Sequence, residues 1–150
     1  MKLGIGLPQQ QLTKSNLRYA AQLGVTHVIV HGPQFGEHGY HEVEPMRETK
    51  NLIESFDLTW EGIENLPHDH WEQILLGGIG RDEQMANVTR TMENMSRVGV
   101  PILGYCFSIA SVTGHWRNYD GGGRGGANLK SFDVERIPDN STHPSGPVSV

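Results

Sequence analysis

A parallel α/β fold is what this sequence predicts, on three observations. Apolar runs of strand length alternate with segments of helical periodicity three times and then lead into a fourth strand, a repetition that gives a parallel sheet with right-handed crossovers. The run Thr26-His27-Val28-Ile29-Val30-His31 is nearly continuous in β-branched residues, as a strand buried on both faces requires. The run from Leu58 through Thr59, Trp60, Glu61, Gly62 and Ile63 ends abruptly in Glu64-Asn65-Leu66-Pro67. It reads as a strand that delivers a carboxylate to its own C-terminal end, the end at which parallel α/β sheets bind ligands.

Lys2 to Leu7 is a short apolar strand stopped by Pro8. A helix then begins near Thr13, with Leu12, Leu17, Ala20, Ala21 and Leu23 on one face, Thr13 or Ser15 as N-cap and Gly24 as C-cap. After the strand Thr26–His31, the polar stretch from Gly32 to His41 is a strand-to-helix loop. Val43, Met46, Leu52, Ile53 and Phe56 mark the next helix, whose first turn accommodates Pro45. Past the strand Leu58–Glu64, a long loop is expected from Asn65 to Arg81, carrying His68, His70 and Trp71; loops of this length are usually functional or flexible. Asp82 is the expected cap of a helix from Glu83 to Val98, with Met85, Val88, Met92 and Met95 as its apolar stripe and Gly99 at its end. Pro101 to Phe107 is the fourth strand. From Ser108 to Gly126 the composition changes to an excursion rich in glycine, Ser131 to Glu135 is the expected start of a further helix, and residues 138–150 read as a disordered tail after a domain spanning 1–137.

Composition narrows the function. A chain of 150 residues is the size of one domain with a real core. The formal charge of −5 and the scattered basic residues lack the footprint of a nucleic-acid binder. No apolar run reaches the roughly 20 residues of a membrane span, and the N-terminus is too short and glycine-rich for a signal peptide, so a soluble, cytoplasmic protein with no membrane partner is expected. The single cysteine, Cys106, excludes an internal disulfide and a Cys-only metal cage. It reads as a buried small hydrophobe.

Several side chains carry chemistry in this pattern. Glu64 and Asn65 at a strand end suit a general acid or base and a hydroxyl binder, or else a loop anchor. Glu61, three residues earlier, is expected on the opposite face in a structural role. His31 shares the rim with Glu64 and either meets substrate or fixes the loop, while His27 sits at the strand's other end, on the side of stability. His68 and His70, in a loop led by Pro67, have no third ligand beside them, and His38 and His41 are discounted as metal ligands in the same way. Arg124 lies among Gly121, Gly122, Gly123, Gly125 and Gly126, where backbone amides can approach an anion and the guanidinium can fork onto a carboxylate; a flexible glycine linker is the alternative. Trp116-Arg117 can stack on and clamp a sugar acid, or cover the end of the sheet. There is no phosphate-binding G-x-x-x-x-G-K-[ST] and no Ser-His-Asp order, and Gly77-Gly78-Ile79-Gly80 lacks the preceding strand that a dinucleotide fingerprint needs.

With these residues in place the chain resembles the N-terminal half of mannonate dehydratases of the xylose-isomerase-like TIM barrel group. The resemblance rests on Leu23–His31, on Ile63-Glu64-Asn65-Leu66-Pro67, on Leu75-Leu76-Gly77 with Gly80–Gln84, on Gly99–Tyr105, and on Trp116-Arg117 with Gly123–Ala127. It covers residues 1–137. It implies about the first four strands of a (β/α)8 barrel, hence a half-barrel or truncated barrel, since a complete one takes about 250 residues. It also implies a carbon-oxygen lyase of glucuronate catabolism and carbohydrate metabolism, removing water from D-mannonate to give 2-keto-3-deoxy-D-gluconate with a divalent metal, manganese. Glu64 is then the catalytic candidate, and His31, Asn65, Tyr105, Trp116, Arg117 and Arg124 are candidates for substrate binding, with Arg117 or Arg124 on the carboxylate. The family's His, Cys, His and Asp metal ligands lie in the C-terminal half, so no residue here inherits them, and the isolated chain is expected to be weak or inactive. Where the family reads Tyr-Asn-Phe-Met-Pro, this chain has Tyr105-Cys106-Phe107-Ser108-Ile109, which puts the substrate in question. Two other readings stand beside the lyase: a sugar isomerase or epimerase of the same barrel group, and a non-catalytic half-domain that binds a sugar acid. Pairing with a second copy or with a C-terminal half is expected from the open sheet edges.

Overall fold

Four parallel strands pair in sequence order in a computed structural model that describes residues 1–106, 116–118, 122–131 and 135. They are β1 (Gly4–Pro8), β2 (His27–His31), β3 (Thr59–Glu64) and β4 (Ile102–Gly104). Between them run α1 (Lys14–Gln22), α2 (Val43–Glu54), α3 (Glu72–Leu76) and α4 (Arg81–Val98). The sheet belongs to the first of two compact units, Met1–Phe107 and Ser108–Val150.

Local chemistry sets these boundaries. Thr13, not Ser15, caps α1, its hydroxyl accepting from the Asn16 amide at 3.2 Å. Gly24 follows Leu23 with φ +82°, the left-handed turn that lets the chain leave the helix for β2. Gly99 ends α4 in the same way at φ +79°. The cap at the start of α4 is Gly80 rather than Asp82, which lies inside the first turn where its charge favours the helix dipole. The stretch expected as a plain loop from Asn65 to Arg81 is ordered into a 3-10 turn at His68–His70 followed by α3. β4 is shorter than expected, and Cys106, read from sequence as buried, is exposed beyond its end.

One face of the sheet carries the core. Leu7, Val28, Val30, Trp60 and Ile63 are buried there with Leu17 and Ala20 of α1, Met46 and Ile53 of α2, and Met95 and Val98 of α4. Burial of this kind contributes roughly 1.5–3 kcal/mol per large side chain. The register of β2 against β3 shifts between Val28 and Ile29: Val28 faces Trp60 but Ile29 faces Gly62, so Glu61 is an extra, bulged residue. The buried Trp60 indole donates to the Gly62 carbonyl at 2.9 Å across the bulge. The bulge overturns the expected placement of Glu61. Strict alternation would put residues three apart on opposite faces, but the inserted residue returns both Glu61 and Glu64 to the face opposite the core, where Glu61 meets His27 and Glu64 meets His31.

In the second unit β5 (Trp116–Asn118) and β6 (Leu129–Ser131) pair antiparallel, Arg117 opposite Lys130. A 3-10 turn at Arg124–Gly126 precedes β6, with the Gly123 amide donating to the Ala127 carbonyl at 3.0 Å. Ser131 ends β6, so it does not start the expected helix, most of which lies outside the described residues. The boundary after residue 137 and the tail 138–150 lie outside them as well.

Candidate functional site

The C-terminal ends of the four strands make one row. Pro8 pairs with His31, His31 with Glu64, and Glu64 with Gly104. In that row His31 Nδ1 lies 3.7 Å from Glu64 Oε1, with both side chains about half exposed. On β1, Gly6 leaves the space that the carboxylate uses: a Cβ there would sit 3.6 Å from Glu64 Oε2. Asn65 takes φ +63°, a left-handed conformation that Asn tolerates better than most residues, and its amide donates to the Gly104 carbonyl at 3.1 Å. The Glu64 carbonyl in turn accepts from the Gly32 amide at 2.7 Å. Tyr105 follows directly and its side chain is exposed. An imidazole and a carboxylate side by side, open to solvent at the ligand-binding end of a parallel sheet, can hold a hydroxyl and move a proton to or from carbon.

The loops behind this row are tied to each other. Gln9, in the turn after β1, and Gln34, in the loop after β2, exchange side-chain to backbone hydrogen bonds at 3.2 and 2.9 Å. His41, at the end of the β2 loop, and His70, in the turn after β3, bring their rings to 5.3 Å. At the other end of the same sheet face, Lys2 Nζ donates to Glu61 at 2.6 Å and His27 Nε2 lies 3.4 Å from it. The Lys2 hydrogen bond holds the Glu61 carboxyl below its ordinary range, against a desolvation that acts the other way.

Of the candidates, His31, Glu64, Asn65 and Tyr105 are brought together on the rim of the first unit. Trp116 and Arg117 lie on β5 and Arg124 in the exposed turn of the second unit. The remaining histidines separate sharply. His68 is exposed and pairs with Glu72 at 3.0 Å, and His38 with Glu42 at 3.9 Å. His70 and His41 are buried, His41 completely. Burial and the neighbouring His70 push the His41 pKa down to about 3, and burial lowers His70 against an opposing pull from Asp69. Sequence reasoning sets this pair aside as weak metal ligands; nothing in the spacing of two residues so far apart in the chain signals the contact. Among the described residues no three His, Cys, Asp or Glu side chains gather to hold a metal ion. His31 and Glu64 alone supply too few donors to fit one, and no helix among the described residues is long and apolar enough to cross a membrane.

A family model described as D-mannonate dehydratase (UxuA) matches residues 5–143. Among solved structures, the mannonate dehydratase from Streptococcus suis serotype 2 matches with a TM-score of 0.73 and 18% identity, over 94% of this chain and 40% of that one. At that identity the likeness is one of fold, and this chain spans about two fifths of that relative's length. No curated protein matches the sequence.

Proposed function

The chain belongs to the D-mannonate dehydratase family, and from that premise we propose that it carries the substrate-facing rim of a hydro-lyase that converts D-mannonate to 2-keto-3-deoxy-D-gluconate. The observation that carries this reading is the His31–Glu64 pair, 3.7 Å apart on adjacent strand ends. Dehydration of a sugar acid removes the proton beside the carboxylate and expels the neighbouring hydroxyl as water. Glu64 takes the proton, His31 and Asn65 hold the substrate hydroxyls, and Tyr105 borders the same rim. On the second unit, Arg124, with Arg117 and Trp116, is the set proposed to recognise a carboxylate, a role that suits a guanidinium among glycines. The metal, manganese in this proposal, would take its ligands from outside the described residues, since those present do not fit it. The setting is the cytoplasm and the breakdown of glucuronate.

The test is made in a complete homologous barrel carrying the matching residues. Glu64→Gln and Arg124→Ala are each expected to lower turnover of mannonate by at least about a hundredfold, with the melting temperature kept within about 4 °C. Loss of folding instead would assign both residues a structural role. A second reading, proton transfer at C2 in an isomerase or epimerase, draws on the same pair and on Cys106 standing where the family has Asn. Product analysis with mannonate against keto-sugars in Mn²⁺ separates the two.

We also propose that the protein associates, with a second copy or with a C-terminal half. β1 and β4 are the sheet's outer strands, and Ile102 on β4 is 47% exposed. Light scattering behind size exclusion is expected to give a mass above one chain of 16.6 kDa. A clean monomer at high concentration counts against it.

A further inference from the structure

Two rim loops meet at a contact that the proposed chemistry does not use. The loop from Gly32 to Glu42 begins next to His31 and carries His41 near its end; the segment from Asn65 to Trp71 begins next to Glu64 and contains His70. Their rings face each other at 5.3 Å, tilted by 51°. His41 is wholly buried, Phe35 packs edge-on against its ring at 5.2 Å, and neither ring nitrogen has a hydrogen-bond partner among the described residues. Its backbone is fixed instead: the His41 amide donates to Thr91 Oγ1 at 3.0 Å, and its carbonyl accepts from Asn94 Nδ2 at 2.8 Å. The second loop is held by the same helix, α4. Gln84 Oε1 accepts from the Gln73 and Ile74 amides at 2.9 and 3.2 Å, and its Nε2 donates to the Asp69 carbonyl at 2.7 Å.

We propose that His41 and His70 are positioning residues: a latch, closed only while both imidazoles are neutral, that holds the loops behind β2 and β3 together and so keeps His31 and Glu64 in register. Burial makes the neutral state the stable one, because a charge on His41 would be unsolvated, one on His70 would be only partly solvated, and each would face a second ring able to take the same charge. The surrounding charges do not relieve this. Asp69 favours the charged form of His70 but leaves it lowered overall. On the loop of His41, His38 and Glu42 pair with each other; beside His70, His68 pairs with Glu72. On α4, Arg90 lies over the Tyr40 ring at 4.6 Å, Glu93 is exposed, and the groups that reach His41 are the uncharged Thr91 and Asn94. The pKa of about 3 for His41 agrees with this geometry.

The role given to His31 and Glu64 rests on the dehydratase reading, whereas the latch is tested without substrate. Hydrogen exchange of the full chain is followed by NMR between pH 7.5 and 5. The His41 and Gln73 amides are expected to open while Val30 and Ile63 stay protected, with loop protection falling about tenfold or more per pH unit below about 6.5. His41→Phe is expected to remove most of that pH dependence, leaving what His70 contributes; His70→Phe, less deeply placed, is expected to reduce it. Loop protection that is flat with pH, that equals the protection of Val30 and Ile63 throughout, or that keeps its slope in whichever variant folds overturns the latch. Calorimetry with mannonate is run separately, and its failure bears on the dehydratase reading alone.

Discussion

Gly62 is the residue on which the approach of β3 to β4 depends. A Cβ there would lie 2.8 Å from the Ile102 carbonyl oxygen and 2.9 Å from the Ile102 Cβ, so any side chain wedges the outer strand away. Gly62→Ala is therefore expected to cost about 1–3 kcal/mol, read as a lower urea midpoint, with β4 amides losing protection before those of β2. An unchanged midpoint would mean that the strand ends yield freely. Gly6 plays a milder part on the same face. A Cβ there would sit at ordinary contact distance from the Glu64 carboxylate, so an alanine is accommodated. In sequence both glycines only weaken the strand pattern; their use appears once neighbouring strands are in register.

At the scale of elements, α4 shows where sequence patterning succeeds and where it stops. Its span and its glycine terminus are legible from periodicity and from Gly99, yet the stripe through Met85 and Met92 is not the buried one. Both methionines are about half exposed, and the buried side chains are Thr91, Asn94, Met95 and Val98. The reason is what the helix packs against. Part of its inner face meets loop backbone rather than the sheet, and buried backbone groups need hydrogen-bond partners, so polar residues occupy positions that hydropathy assigns to solvent. Thr91→Val keeps the shape but orphans the His41 amide and is expected to cost about 1–3 kcal/mol. Met92→Ala should stay within about 0.5 kcal/mol. The reverse order in chemical denaturation would restore the methionine stripe. Strand order and the His31–Glu64 rim are legible for a simpler reason: each arises from a β-branched run with a chemical stop at its end. The bulge at Glu61 is not, because one inserted residue leaves the composition unchanged while it reverses the face of every later residue in the strand.

For the whole molecule, the buried histidines and the Lys2–Glu61 pair act on stability in the same direction. His41 has a folded pKa of about 3 against an ordinary value of 6.5, so the unfolded chain takes up a proton that the folded one refuses. Its contribution is complete above about pH 6.5 and is lost as the pH falls towards 3. His70 is displaced in the same sense. Glu61, held below its ordinary range by Lys2, adds stability that disappears only at lower pH, as its folded carboxyl takes a proton. From pH 7 to pH 5 the His41 share alone is roughly 2 kcal/mol, a sizeable part of the roughly 5–15 kcal/mol typical of a domain. Urea unfolding across this range should therefore show a midpoint that falls progressively below about pH 6.5. In His41→Phe the midpoint should be nearly level from about pH 7 to pH 5, apart from what His70 contributes. A midpoint that falls as steeply in the variant as in the parent would place the acid sensitivity elsewhere in the chain.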